Sequence, residues 1–425
     1  MLEDKNSAKL WTKNFTILTL GTVVSMLGNA LSGFAIGLLV LDYTGSTFMF
    51  ALSMVIYNLP KFLVPIVAGP LLDKFSRRKT IYMLDFISGT LYVILAFLMW
   101  KEWFSYSVLI FFTLVLGSID SSYTVAYESL YPNLVSDRNL AKANSITSII
   151  MPLTQVMSLF SAILYNTVGI APLFLINAFS FYIAAIFETI IKVDEKHIRS
   201  DRKLKGIKLY FFDLKEGISY IKEERGLSAI TLYFGITMFA SSSLSSLMLP
   251  FFREYNDFLK FPFESFIFSK GEYTFIAVMA FAVTGRVLGG IVQYRTRYPA
   301  EKKYLIALLI YLTICIFDGV ILFLPVAAMM ILYFLTGALG VTSYNIRITG
   351  TQKYVSDDKR ARFNGVFLMT NNVGMILGNL TAGTLAEFMP MRAVVALASG
   401  VNLIAVFCII YRKRADIKPI YNIDA

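Results

Sequence analysis

Ionisable side chains within long apolar stretches are the residues of this sequence best suited to chemistry. A charged group at bilayer depth is costly and by default indicates function. Lys61 and Asp120 fall near the middle of such stretches, whereas Asp85 lies roughly 9 Å deep at 1.5 Å per residue. A carboxyl group in a partly dry cavity can exchange a proton as its access to water alternates. Asp120 is therefore the first candidate for proton coupling, and Asp85 is the second.

Each of these groups also has a purely structural interpretation, in which an ion pair joins two helices. Lys61 is an obvious partner for Asp120, and Asp85 is close enough in sequence to pair with cations of the preceding loop. Arg286 and Asp318, somewhat off centre, either pair with each other or bind an ionic substrate. The candidate residues of a substrate cavity are Asn29, Lys61, Asp120, Arg286 and Asp318.

The elements that position these residues are predicted to be membrane-spanning helices. Of the 425 residues, 56% are hydrophobic and 16% charged, whereas a soluble domain carries about 25% charged residues. The apolar stretches have about the 20 residues that a helix needs to cross a bilayer, and they lack the alternation of a membrane barrel. The predicted spans are 15–41, 48–72, 80–100, 106–130, 143–166, 170–191, 228–252, 272–293, 304–324, 327–349, 363–385 and 391–411.

The positive charge follows the predicted topology. The net charge is +11, and the basic residues concentrate in alternate loops, as they do on the cytoplasmic side of membrane proteins. We therefore expect both termini in the cytoplasm and no binding of nucleic acid. The first span begins only after Lys13, and we interpret it as a retained helix, not as a removed signal peptide.

A polar interruption divides the predicted spans into two sets of six. The expected domains are an N-terminal half (1–191), a central loop (192–227), and a C-terminal half with a cytoplasmic tail (228–425). The central loop contains FFDLKEGISYIKEERGL, which predicts a helix that either lies on the membrane surface or links the halves in solvent. At one constant spacing Gly117 aligns with Gly337, and Val135-Ser136-Asp137 matches Val355-Ser356-Asp357. The two halves therefore form an internal repeat.

Residues 69–80, GPLLDKFSRRKT, resemble the signature of the major facilitator superfamily, Gly-x-x-x-Asp-Arg/Lys-x-Gly-Arg/Lys-Arg/Lys. The matching residues are Gly69, Asp73, Lys74, Arg77 and Arg78. Ser76 stands where the family has glycine. The resemblance implies an all-α membrane protein with twelve transmembrane helices in two pseudo-symmetric six-helix halves. Such transporters bind substrate near the midplane and alternate access by rocking one half against the other.

The resemblance also implies a gate. In that family the acid matching Asp73 caps the positive end of a distant helix and holds the cytoplasmic side shut. Glu128, near the end of span 4, is a further candidate for this network. The second half carries GGIVQYRTRY at 289–298, with Gln293 where the first half has Asp73. We therefore expect the charged latch mainly in the N-terminal half.

A finer resemblance concerns VSMLGNALSGFAIGLLVLDYTGS (24–46) and the central DLKEGISYIKEERGL. Both are similar to the bacterial branch that contains macrolide-efflux and siderophore-efflux proteins, which favours export. The chain departs from that branch at Asn29, where an acid is frequent, and at Gly117, where many members have arginine. Span 5 keeps Pro152 but lacks the glycines of the antiporter signature, so proton antiport does not carry over automatically.

Several kinds of chemistry are excluded by missing residues. A Gly-x-x-x-x-Gly-Lys-Ser/Thr loop for nucleotide phosphates does not occur, and the single histidine, His197, falls in the central loop. Cys315 and Cys408 fall inside predicted spans and indicate neither a disulfide nor a metal site. We expect no catalytic residue, no cofactor and no metal.

The predicted function is a secondary transporter, driven by a proton gradient, that exports small amphipathic molecules such as drugs or siderophores. The alternatives are a proton-coupled importer of a metabolite or peptide and, from another class, a membrane-embedded lipid-modifying enzyme. The expected partners are the small-molecule substrate, a coupling proton and membrane lipids. We expect a monomer in the bacterial cytoplasmic membrane.

Overall fold

The protein is all-helical, as predicted, throughout the part that the structure describes. The computed structural model describes residues 10–72, 75–135, 160–193, 207–255, 270–295 and 298–423, together with 154 and 157. Nine helices among these residues are long and apolar enough to cross a membrane. Two more helices, α2 and α12, have 26 and 30 residues, enough at 1.5 Å per residue to span about 30 Å of hydrocarbon. The count of twelve spans stays a prediction.

The first six helices are α1 (Lys13–Thr44), α2 (Thr47–Leu72), α3 (Arg77–Trp100), α4 (Tyr106–Leu130), α5 (described over residues 160–168) and α6 (Ile170–Glu188). Those that follow are α7 (Ile207–Glu223), α8 (Arg225–Glu254), α9 (Gly271–Arg295), α10 (Lys303–Val320), α11 (Val326–Tyr354), α12 (Asp357–Ala386), α13 (Met391–Ala405, continued by a π-helical turn over Val406–Tyr411) and α14 (Arg414–Tyr421). Hydroxyl side chains begin three of them: Thr12, Ser76 and Ser105 each accept a hydrogen bond from a backbone N–H three residues on. Such caps satisfy donors that the first helical turn leaves free.

One compact unit consists of Met1–Gly45 and Ile56–Tyr210. In it α1 and α3 pack on α6, and α3 also packs on α4. Phe15, Leu18, Ile81, Leu130 and Ile191 form part of its buried core.

The second unit consists of Ser46–Val55 and Phe211–Ala425. Here α8 packs on α12 and α13, α9 packs on α11, and α10 packs on α13 and α11. The beginning of α2, as far as Val55, belongs to this unit, where Glu387 accepts hydrogen bonds from the Ser46 hydroxyl (2.8 Å) and the Phe48 backbone N–H (3.0 Å).

Two glycines that the repeat aligns make similarly close helix contacts, one in each unit. A Cβ on Gly117 of α4 would lie 2.3 Å from the carbonyl oxygen of Tyr57 in α2. A Cβ on Gly337 of α11 would lie 2.3 Å from the carbonyl oxygen of Ala282 in α9. Both contacts are backbone against backbone, the close approach that small residues permit in membranes. An arginine at position 117 would therefore have no room in this packing.

The central helix α7 packs on protein, which neither interpretation of the sequence anticipated. Ile221 is buried, and Ile218 packs against the same core cluster of the second unit, beside Leu227 and Ile230 of α8. The Lys359 ammonium also lies 4.6 Å from the centre of the Tyr220 ring. The apolar face of α7 is thus covered by the second unit where the structure describes its side chains.

The segment predicted as a cytoplasmic tail contains a docked helix, α14. Ile417, Ile420 and Tyr421 are buried in the core of the second unit. The Tyr421 and Tyr311 hydroxyls lie 3.1 Å apart, within hydrogen-bonding distance. The pKa of Tyr421 is raised well above its ordinary value, mainly by burial and secondly by the neighbouring Tyr311. This phenol therefore stays neutral.

Candidate functional site

A cavity of about 500 Å³ lies within the first unit. Its volume is in the range of small-molecule binding sites. Aromatic rings supply much of its wall, and a few polar groups interrupt it. The lining residues are Thr22, Ser25, Met26, Asn29, Tyr57, Asp85, Ser88, Tyr92, Leu116, Ile119, Asp120, Tyr123, Thr124, Tyr127, Glu128, Tyr131 and Phe181.

Asp120 is held by two neighbours at this cavity. Its Oδ2 lies 3.4 Å from the Lys61 Nζ and accepts a hydrogen bond from the Tyr57 hydroxyl at 3.2 Å. The Lys61 ammonium also lies 4.8 Å from the centre of the Tyr57 ring. The side chains of Lys61 and Asp120 are 40% and 29% exposed, and Asp120, but not Lys61, lines the cavity. The structure thus joins the two residues that the sequence suggested as partners.

Asp85 has a different environment. It is 1% exposed and lies within hydrogen-bonding reach of the carboxyl group of Glu188, which is fully buried at the end of α6. The Tyr123 hydroxyl donates to Glu188 Oε1 at 3.3 Å and lies 3.3 Å from the Thr22 hydroxyl. Pairing with loop cations, the expected structural alternative for Asp85, is not seen among the described residues.

Further along α1, the cavity wall contains a second polar contact. Asn29 accepts a hydrogen bond from the amide of Asn177 in α6 at 3.3 Å, and Asn177 also accepts one from the Ser180 hydroxyl at 3.1 Å. Asn29, a candidate from the sequence, is among the residues that line this cavity, and its contact with substrate stays a prediction.

The gate residues are only partly visible. Asp73 and Lys74 lie outside the described residues, and for Gly69 the structure describes only its place in α2. Arg78 donates a hydrogen bond to the carbonyl of Ile191, and Arg77 begins α3. Glu128 is exposed and lines the cavity. The gate itself stays a prediction.

In the second unit, the other candidates do not meet. Arg286 is exposed, Asp318 is half-buried in α10, and no ion pair joins them in the described structure. Of the two alternatives for these residues, an ion pair across spans 8 and 9 is thus not seen in the described structure, and binding of an ionic substrate stays a prediction. Gln293 instead accepts a hydrogen bond from the Asn345 amide at 3.0 Å, which links α9 to α11.

Glu188, Tyr123 and Asn177 were missed by the sequence analysis. Glu188 stands three residues inside the end of predicted span 170–191, where a charge is easily taken for an interfacial residue. The detectable signal is spacing, since Asn177, Ser180 and Glu188 fall on one face of an otherwise apolar helix.

Arg347 of α11 was also missed, although it lies within a predicted span. It is 9% exposed, and its guanidinium lies 4.9 Å from the centre of the Phe234 ring and 4.7 Å from that of Phe367. Contacts with ring faces stabilise a cation that is removed from water.

These groups suit non-covalent binding. Tyrosine rings offer apolar faces and hydroxyl groups, and the Asp120–Lys61 pair offers both signs of charge to one ligand. Within the described residues no cluster of three His, Cys, Asp or Glu side chains is placed to hold a metal ion.

Comparison with known proteins connects this architecture to transport. A family described as transmembrane secretion effector matches residues 6–419. The chain is 24% identical over 247 residues to the MFS-type transporter YkuC of Bacillus subtilis, covering 56% of each chain. It is 23% identical over 288 residues to macrolide efflux protein A of Streptococcus pyogenes, covering 66% of each. The aligned part thus spans less than two thirds of the length of these relatives.

Solved structures show the same fold. The crystal structure of the nucleoside transporter NupG superposes with a TM-score of 0.69 at 14% identity, covering 95% of this chain and 100% of that one. A mutant of NupG gives a TM-score of 0.66 at 17% identity, covering 93% and 99%. The relatives and the structural neighbours are transporters and not enzymes, which confirms both the predicted resemblance and the prediction that the chain is no enzyme. The chain belongs to the transmembrane secretion effector family of the major facilitator superfamily.

Proposed function

We propose that the protein exports small amphipathic molecules from the bacterial cytoplasm by alternating access, in exchange for protons. The observation that carries the proposal is the aromatic cavity of about 500 Å³ with Asp120 in its wall, where the carboxylate is paired with the partly exposed Lys61. A partly exposed ion pair contributes little to stability, so a charged pair that joins a cavity wall within predicted spans favours a role in binding.

The substrate class follows from the lining. The lining contains six aromatic side chains and three carboxyl groups. The aromatic residues are Tyr57, Tyr92, Tyr123, Tyr127, Tyr131 and Phe181, and the acids are Asp85, Asp120 and Glu128. Such a wall suits a ligand with an apolar body and a polar or cationic group, because ring faces and carboxylates both attract cations. Similarity to a macrolide efflux protein supports the direction of transport and makes a macrolide the first probe.

The proposal is tested with the full-length protein in inside-out proteoliposomes. With an acidic lumen, we expect labelled erythromycin to accumulate in the lumen as protons leave it, and collapse of the proton gradient should abolish accumulation. Asp120→Asn and Lys61→Met should reduce accumulation. Asp42→Asn, a change at the far end of α1 and outside the cavity lining, is the matched control and should not.

Three outcomes would contradict the proposal. Accumulation that needs an alkaline lumen would indicate symport, and hence import in the cell. Accumulation driven only by a sodium gradient would show that the coupling ion is sodium and not the proton. Transport of labelled uridine and not of erythromycin would exclude the macrolide-like substrate class.

A further inference from the structure

The carboxyl groups of Asp85 and Glu188 form the least expected contact of the first unit. They come from different helices, α3 and α6, and are 1% and 0% exposed. Asp85 Oδ2 and Glu188 Oε2 are both buried without a hydrogen-bond partner. No basic side chain in the described part of the chain pairs with either group. Two acids in contact, each with an unused oxygen, therefore lie beside the cavity.

Hydrogen-bond chemistry limits the charge state of such a pair. An ionised carboxylate can only accept hydrogen bonds, so two ionised groups cannot bond to each other. A single proton shared by the two carboxyl groups would let one donate to the other and remove one of two like charges from a dry site. The contact thus calls for one bound cation, and a proton meets this need without any further ligand.

The groups that face the pair do not supply that cation. From α1 comes the Thr22 hydroxyl, and from α4 come the Tyr123 hydroxyl and the Asp120 carboxylate, which adds a further negative charge nearby. Arg78, at the start of α3, donates to the Ile191 carbonyl. The remaining titratable groups of the cavity wall are Tyr57, Tyr92, Tyr127, Glu128 and Tyr131, of which Glu128 adds negative charge.

We propose that Asp85 and Glu188 together form the site of the coupling proton, distinct from the Asp120–Lys61 pair that contacts substrate. This assignment rests on the proposed function, since it names the coupling site of that transporter. Asp85 lines the cavity and Glu188 does not. The proton therefore leaves the shared hydrogen bond through Asp85 to cavity water, and the pair is left with two negative charges. Rebinding of one proton restores the starting state, with no change in covalent bonds.

Infrared spectroscopy of the purified full-length protein tests the site without any substrate. At neutral pH we expect a carbonyl stretch from a protonated carboxyl group, shifted in D₂O, that is lost in both Asp85→Asn and Glu188→Gln. Each variant supplies an amide that donates to the remaining carboxylate and replaces the proton. Asp42→Asn should keep the signal. An unchanged band in either pair variant would overturn the assignment.

Tyr123→Phe provides a second test that can be used if Asp85→Asn or Glu188→Gln fails to fold. It removes only the hydroxyl that donates to Glu188 Oε1, so the band should persist at a shifted frequency. A band that neither moves nor weakens would show that its carboxyl group lies elsewhere. Loss of the wild-type band on replacing choline by sodium would mean that the pair binds sodium, which also overturns the assignment.

Transport assays separate this inference from the proposed function. In proteoliposomes, Glu188→Gln, at a residue outside the cavity lining, should still exchange labelled erythromycin for unlabelled erythromycin while losing accumulation against a gradient, and Asp85→Asn should lose accumulation as well. If wild-type protein transports no erythromycin, the proposed function fails while the infrared result still decides the proton site. If both variants accumulate erythromycin normally, the coupling role fails even where the pair holds a proton.

Discussion

Two acids of one cavity, Asp120 and Asp85, differ in their neighbours and hence in the roles open to them. Asp120 has a cation and a hydroxyl within hydrogen-bonding or ion-pair distance and is partly exposed. Asp85 has another acid and is almost fully buried. A paired, accessible carboxylate is suited to ligand contact, whereas a buried pair of acids is suited to holding a proton.

Asp120→Asn is expected to weaken erythromycin binding and to leave the fold intact. Asparagine keeps the size of the side chain and still accepts from Tyr57, and a partly exposed ion pair contributes less than about 1 kcal/mol to stability. The measurements are binding affinity and melting temperature for Asp120→Asn, Lys61→Met and the double variant. If each single variant has a lowered melting temperature and the double variant regains that of the wild type, the ion pair has a structural role only. Intact binding with lost accumulation would instead give Asp120 the coupling proton.

Gly337→Ala is expected to lower the unfolding free energy by about 1–3 kcal/mol, the usual cost of overpacking. Its new methyl group would meet the Ala282 carbonyl oxygen, which belongs to the backbone and cannot rotate away. Gly340→Ala, one turn further along α11, is the matched control, since nothing lies within 4 Å of its Cβ position. Gly117→Ala should resemble Gly337→Ala, because it meets the Tyr57 carbonyl at the same distance. Equal melting temperatures for Gly337→Ala and Gly340→Ala would contradict the close approach.

At the scale of elements, the helices α7 and α14, which come from polar segments of the sequence, both pack against the core of the second unit. Both α7 and α14 contribute buried residues, Ile221 from the first and Ile417, Ile420 and Tyr421 from the second. Their composition is that of surface helices. The sequence therefore shows that they are amphipathic but not which surface they cover.

Ile420→Ala is expected to destabilise the protein by about 2–4 kcal/mol, as large-to-small changes in a core do. Ile420 is fully buried, and the α14 backbone at Ile420 closely approaches Gly350 of α11. Lys413→Ala, at an exposed position just before α14, is the control and should melt like the wild type. An unchanged melting temperature for Ile420→Ala would mean that α14 does not dock in solution.

The positive-inside pattern makes a prediction for the whole molecule. In a variant without Cys315 and Cys408, a cysteine at Thr44 should react with an impermeant maleimide added outside intact cells. A cysteine at Lys418 should react only after the cells are opened, because the basic loops and both termini are expected inside. Labelling of Lys418→Cys in intact cells would reverse the topology and the placement of the gate.

Much of the fold could be predicted because helix formation and membrane insertion depend on local composition. Helices occur at each predicted span that the structure describes, and the repeated glycines Gly117 and Gly337 make similarly close contacts. The site was harder to predict, since pairing depends on which helix faces meet. Lys61 and Asp120 were identified as partners, but Glu188 beside Asp85 was missed, and the alternatives for Arg286 and Asp318 could not be separated from the sequence.

The backbone contact between α9 and α11 limits how the second unit can deform. Gly285 and Gly289 of α9 lie against Phe334 and Ala338 of α11, just as Gly337 lies against α9. If either helix slid along the other by one residue, a side chain would take the place of a glycine and would clash with the facing backbone. These contacts therefore oppose sliding of α9 along α11. We expect the two helices to move together as a rigid body, with bending at hinges outside the pair.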